Sequence, residues 1–162
     1  ETEFKRIQNI IDAVKIVQKK YNVKLQWITP TKPIKNLEID CLVNPVQIEI
    51  GNLLRKTDIY VCASIYEAFC LPVLEAMTCG AAVVTTNNGG NMDFVKDNIN
   101  ALVVEKDNIN DLVEKIERIL NDRELKNSLI KNGVDESKQY SWDNIMEKIQ
   151  KYYQEIANYV IE

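Results

Sequence analysis

The chain has 162 residues, a formal charge of −4 and no histidine, which is length enough for one domain with a substantial core. Without histidine there are no imidazole metal sites, Ser-His or Cys-His nucleophiles, or histidine general bases, and the acidic balance argues against a nucleic-acid or anionic-membrane surface. Cysteines at 41, 62, 70 and 79 form no CxxC pair or secreted framework and read as reduced cytosolic thiols, while no apolar run approaches the ~20 residues of a membrane span and no signal peptide is visible.

Phe4, Ile7, Ile10, Ile11, Val14 and Val17 recur at helical spacing and predict an amphipathic helix over 3–20. Lys5 and Arg6 fall near its start, where the helix dipole disfavours cations. On pattern alone they read equally as solvated charges or as part of a site. Residues 24–28 read as a strand, 29–33 as a loop, 38–44 as a second strand, 46–56 as a helix and 58–63 as a third strand. Cys41 and Cys62 fall in strand candidates and read as small core residues. Strands over 82–85 and 101–104 follow the stretch described below. This alternation predicts an α/β fold, a Rossmann-like doubly wound and mostly parallel sheet with helices on both faces.

Beyond Val104 the chain turns helical. Asn108 precedes Ile109, Leu112, Val113, Ile116, Ile119 and Leu120, an amphipathic helix with a polar cap. Residues 124–132 give a shorter helix stopped by Gly133, and Ser141 is the expected N-cap of a last helix over about 142–159. Trp142, Tyr152, Tyr153 and Tyr159 read as packing residues of that helix rather than as a stacking surface.

The most informative stretch runs from Ser64 to Gly80. Pro72 suits the first position of a helix, Val73, Leu74, Ala76 and Met77 give that helix an apolar face, and Gly80 stops it. Glu67 therefore falls on the loop at a strand's carboxyl end and Glu75 near a helix start. In an open α/β sheet ligands bind in that crevice. Spacing alone favours the plainer reading, in which Glu75 is a dipole-favoured carboxylate and Glu67 a loop charge. Asn88-Gly89-Gly90 follows a strand and reads as a phosphate-facing turn or as an ordinary loop.

Ser64, Glu67, Phe69, Leu71, Pro72, Glu75, Ala76, Met77, Gly80, Val83 and Val84, then Asn88-Gly89-Gly90, then Asn100-Ala101-Leu102-Val103, carry a family resemblance. The chain resembles the C-terminal, donor-binding half of a family-4 retaining glycosyltransferase with the GT-B fold, a group 1 glycosyl transferase. The resemblance spans most of the chain. It implies one donor-binding domain over 1–162, part of a larger two-domain enzyme whose N-terminal half binds the acceptor. It implies a nucleotide-diphospho-sugar donor and a role in glycan or surface-polysaccharide synthesis, with no metal or other cofactor. Glu67 would be the catalytic-site carboxylate on the donor sugar, and Glu75 would hold the ribose hydroxyls. Backbone N–H groups of Phe69, Cys70 and Leu71 would face sugar and diphosphate, with Gly89 and Gly90 beside the phosphates. Lys5 matches the family's diphosphate-binding lysine, whereas its arginine would precede Glu1, as would a central strand. Location would be cytoplasmic, with membrane contact at the inner face made through the other half.

Five positions depart from the family pattern: Ala68, Cys70, Ala82, Asp93 and Ile99. Cys70 places a side chain where glycine lets the backbone approach the sugar, which bears on donor choice or activity. Three other readings stand beside the transferase: a nucleotide- or sugar-binding module without transfer, a structural or interaction domain on the same α/β scaffold, and a GT-B-fold epimerase.

Overall fold

The computed structural model describes residues 2–31 and 39–161. Lys32 and Pro33 of the expected loop, and Glu38 at the head of the expected second strand, lie outside the described residues. So does the side chain of Tyr159.

The elements run in chain order α1 (Thr2–Lys5), α2 (Ile7–Val17), β1 (Gln26–Thr29), β2 (Asp40–Val43), α3 (Gln47–Leu54), β3 (Ile59–Cys62), α4 (Leu71–Thr78), β4 (Ala82–Thr86), β5 (Leu102–Val104), α5 (Ile109–Asn121), α6 (Arg123–Ser137) and α7 (Trp142–Ile161). The α/β class and the parallel pairing follow the sequence reading. The strands fall into two hydrogen-bonded sheets, β1–β2 and β3–β4–β5, with every pair parallel.

The larger sheet is covered on both faces, and its pleat sorts the side chains. Ala82 and Val84 of β4, with Leu102 and Val104 of β5, join Val14 and Val17 of α2 and Leu112, Ile116 and Ile119 of α5 in one core. Val83 of β4 points the other way, into a second core with Cys62, Val73, Met77 and Phe94. All five residues of β4 are buried, and each fully buried valine contributes about 1.5–3 kcal/mol. The two cores clamp the carboxyl ends of β3 and β4, where the candidate site lies.

Two helix boundaries and one packing expectation differ from the sequence reading for local physical reasons. The expected helix over 3–20 is broken at Arg6, which takes the left-handed conformation (φ 49°) while its carbonyl accepts the first amides of α2, Asn9 at 3.0 Å and Ile10 at 3.4 Å. Lys5 consequently belongs to a separate turn and not to the amphipathic helix. Gly133 does not stop its helix: α6 runs on to Ser137, and a Cβ at 133 would press on Met77 of α4 at 3.3 Å. The glycine serves helix packing there. Trp142, Tyr152 and Tyr153 of α7 do not pack on the cores, being 79%, 61% and 67% exposed. The stripe has the right period, but among the described residues nothing covers it. Ser141 does cap α7, its hydroxyl accepting from the Asn144 amide at 3.4 Å.

Candidate active site

The loop after β3 carries Glu67 and the loop after β4 carries Gly89 and Gly90, and backbone hydrogen bonds zip the two together. The Glu67 amide donates to the Asn88 carbonyl at 3.0 Å, and the Gly90 amide donates to the Glu67 carbonyl at 3.1 Å. This approach is so close that a Cβ on Gly90 would overlap the Ala68 carbonyl and the Phe69 amide nitrogen. Gly89 sits at φ 89°, where side chains are strained. Both glycines are needed to bring the loops into register.

A buried asparagine pair fixes the turn from below. The Asn88 amide donates to Asn91 Oδ1 at 3.3 Å, and the Asn91 amide donates to Asn88 Oδ1 at 3.1 Å. Asn91 Nδ2 also reaches Thr85 Oγ1 at 3.0 Å and the Thr86 carbonyl at 2.8 Å. Thr86 in turn donates its hydroxyl to the Ser64 carbonyl, tying the ends of β3 and β4 together. Sequence reasoning passed over Asn91, although an Asn-Asn-Gly-Gly-Asn run is a strong signal for side chains that bracket their own backbone.

At the start of α4, Cys70 is left-handed (φ 64°) and caps the helix, which puts Pro72 at its second residue rather than its first. Among the described residues no acceptor is bonded to the N–H groups of Phe69, Cys70 or Leu71. Three free donors at a helix N-terminus favour an anion. The side chain of Phe69 turns away from them, stacking on Phe94 (5.4 Å) and Tyr140 (5.8 Å). Glu75 follows as the fifth residue of α4, just past its first turn, half-buried. Beneath the site, burial keeps the Tyr60 phenol neutral by raising it well above its ordinary value, and the thiols of Cys62 and Cys70, Glu75 and Glu67 add to this.

Cys70 does not fill the crevice with its side chain. Its thiol is buried, 3.8 Å from Cys62 Sγ and 3.3 Å from Asn88 Nδ2. The expectation that this side chain stands where the backbone meets a ligand is therefore corrected: the left-handed backbone turns it inward. The sulfurs of Cys62 and Cys70 and a Glu67 carboxylate oxygen lie within 4.8 Å of one another.

The structure brings Lys5 to Glu67, with Nζ donating to Oε1 at 2.5 Å. The Ile65 amide donates to the Phe4 carbonyl at 3.0 Å and draws α1 against the β3 loop. Arg6 anchors the other side of the turn through Asp107, Nε to Oδ1 at 2.5 Å and Nη2 to Oδ2 at 3.3 Å, with Asn9 adding a third bond. The Glu67 hydrogen bond holds the Lys5 ammonium above its ordinary range, so it stays charged at neutral pH. Cation, carboxylates, free amides and the glycine turn thus converge at one sheet end.

A family model described as glycosyl transferases group 1 matches residues 32–136. An uncharacterized glycosyltransferase of Methanocaldococcus jannaschii is 33% identical over 95% of the chain, which spans 46% of that relative's length. Among solved structures, the C-terminal domain of a group 1 family protein from Francisella tularensis superposes with a TM-score of 0.75 at 26% identity, over 86% of this chain and 82% of that one. HepE of Anabaena, solved with UDP-glucose, gives 0.80 at 19% identity over 94% of this chain and 46% of its own, a likeness of fold.

Proposed function

The chain belongs to the glycosyl transferases group 1 family, and on that premise we propose that it is the donor-binding half of a retaining glycosyltransferase that uses a nucleotide-diphospho-sugar. The observation that carries this reading is the set of three unbonded N–H groups at Phe69, Cys70 and Leu71, flanked in sequence by Glu67 and Glu75. A nucleotide sugar is a diphosphate between two sets of vicinal hydroxyls. Free amides with a cation suit the diphosphate, and a carboxylate on either side suits the hydroxyls.

In this reading Glu75 accepts hydrogen bonds from the ribose and Glu67 from the donor sugar. The bond between the anomeric carbon and the diphosphate oxygen breaks as an acceptor hydroxyl oxygen bonds that carbon and passes its proton to the leaving diphosphate, on which charge gathers during the transfer. The α4 amides and Lys5 meet that charge, a fixed electrostatic contribution made by this chain's own groups and requiring no metal. Lys5 exchanges its partner as the donor enters, leaving Glu67 for the phosphate. UDP-glucose bound to HepE supports a nucleotide-sugar ligand on this fold. The acceptor site, and any contact with the cytoplasmic face of a membrane, belong to the other half of the enzyme. Among the described residues no helix is long and apolar enough to cross a membrane.

The test is to follow the backbone amides of Lys5, Phe69–Leu71, Glu75 and Gly89–Gly90 while titrating nucleotide diphosphates and UDP-glucose. Shifts confined to that set are expected; silence at millimolar ligand from a folded chain overturns the assignment. In the complete enzyme, Glu67→Ala should lower turnover far more than nucleotide affinity, and unchanged transfer would remove Glu67 from the site.

A further inference from the structure

We propose that Cys62, Cys70 and Glu67 form a binding site for a thiophilic divalent cation such as zinc, set into the floor of the crevice. The two thiols come from different elements, the end of β3 and the cap of α4, and both are buried. Their sulfurs are 3.8 Å apart. Two thiolates on one tetrahedral zinc, each bound at about 2.3 Å, also stand about 3.8 Å apart. The pair therefore already has the span of a metal chelate, and no backbone movement is needed to use it.

The third ligand is the Glu67 carboxylate, with an oxygen within 4.8 Å of both sulfurs. A tetrahedral sulfur–oxygen edge is about 3.6 Å, so the carboxylate closes by about 1 Å, a movement open to a side chain on a loop. Glu67 keeps 18% of its side chain exposed and gives the ion a route from solvent, leaving a fourth position for water. A thiol–thiol hydrogen bond in a dry core accounts for the sulfur contact, but it needs neither a carboxylate beside it nor a route to water.

The surroundings are those of thiolate ligands. Asn88 Nδ2 donates to Cys70 Sγ at 3.3 Å and approaches Cys62 Sγ at 4.0 Å. Its other polar atom is held by the Asn91 amide, so its orientation is fixed. The hydrogen bond from Cys70 eases the ionisation of Cys62, and the same bond makes the second proton harder to remove. Binding releases one proton from each thiol to solvent. Two thiolates and a carboxylate then carry three negative charges against the ion's two, and the Lys5 ammonium, already bonded to Glu67, completes the balance. Occupancy would take Glu67 from the donor sugar, making the ion an inhibitor of transfer.

Cobalt(II) titration of the phosphine-reduced chain, followed by back-titration with zinc, tests the site. One equivalent should bind with the sulfur-to-cobalt charge-transfer intensity of two thiolates, and zinc should bleach it. Cys70→Gly, which suits the left-handed backbone, should halve that intensity and weaken binding by about tenfold or more. Glu67→Gln should shift the ligand-field bands, while Cys41→Ser and Cys79→Ser change nothing. If Cys62→Ser fails to fold, the Cys70→Gly arm still decides. Sulfur-to-cobalt intensity that is absent, that Cys70→Gly leaves unchanged, or that follows Cys41 or Cys79, overturns the proposal. No nucleotide is present, so this site and the donor reading fail separately.

Discussion

The loop pair that floors the crevice and the N-terminal turn that reaches over it present neighbouring charges from unlike foundations. Below, Glu67 stands on backbone zipped to Asn88 and Gly90, over asparagines with no exposed surface. Above, Lys5 ends a four-residue helix and is held by one exposed ion pair, one backbone hydrogen bond from Ile65 and the neighbouring Arg6–Asp107 contact. The difference separates two demands on the proposed donor site. Groups that must be in place beforehand sit on buried polar networks, where every bond counts because the alternative is an unpaired group in a dry interior. A cation that must change partners is held by an exposed contact worth about 0–1 kcal/mol.

The hardest way to break the floor is Gly90→Ala. Its Cβ meets backbone rather than a yielding side chain, so a loss of about 3 kcal/mol is expected. Scanning calorimetry should record this as a fall in Tm of roughly 6–12 °C. Asn91→Ala comes next: it strips a bond from the Asn88 amide and leaves Thr85 and Thr86 without their Nδ2 donor. Urea unfolding should report a loss of about 1–3 kcal/mol.

Glu75→Gln should leave the fold intact and weaken nucleotide diphosphate binding by about 1–3 kcal/mol, since the amide cannot give charge-assisted bonds to ribose. Calorimetric titration reads this directly, and equal affinities would exclude Glu75 from the ribose site. Lys5→Ala gives the smallest change. Stability should move by less than about 1 kcal/mol, while the affinity that remains should lose part of its salt dependence. If Lys5→Ala proved as costly to folding as Asn91→Ala, the contrast between floor and turn would collapse.

The site was legible in sequence where its signals were local. Pro72 and Gly80 bracket a helix that places Glu75 whatever the rest of the chain does, whereas Glu67 is set by the loop zipped to Asn88 and Gly90. Short apolar runs located β3, β4 and β5 for the same reason. What stayed hidden depended on distant partners. Arg6 interrupts the first helix while bonded to Asp107, 101 residues away. Gly133 resembles a helix stop until Met77 of α4 is seen beside it. The inward turn of Cys70 depends on its own left-handed backbone and on the room beside Cys62 and Asn88. In α7 the Ser141 cap located the helix correctly but not what would lie against its aromatic residues, because a helical face never specifies its neighbour.

Gly90 also sets a limit on how this crevice can be re-engineered. A glycine beside a bulky side chain can be released by trimming that side chain, as at Gly51, where a Cβ would meet only the flexible guanidinium of Arg55. At position 90 the obstacle is the main chain of Ala68 and Phe69, which every residue type shares. No partner substitution can make room, so a suppressor search starting from G90A has no side chain to remove. Such a search can recover function only by parting the two loops, and parting them moves Glu67. Ligand preference can therefore be rewritten through the side chains around the crevice, while the separation of its two loops stays out of mutational reach.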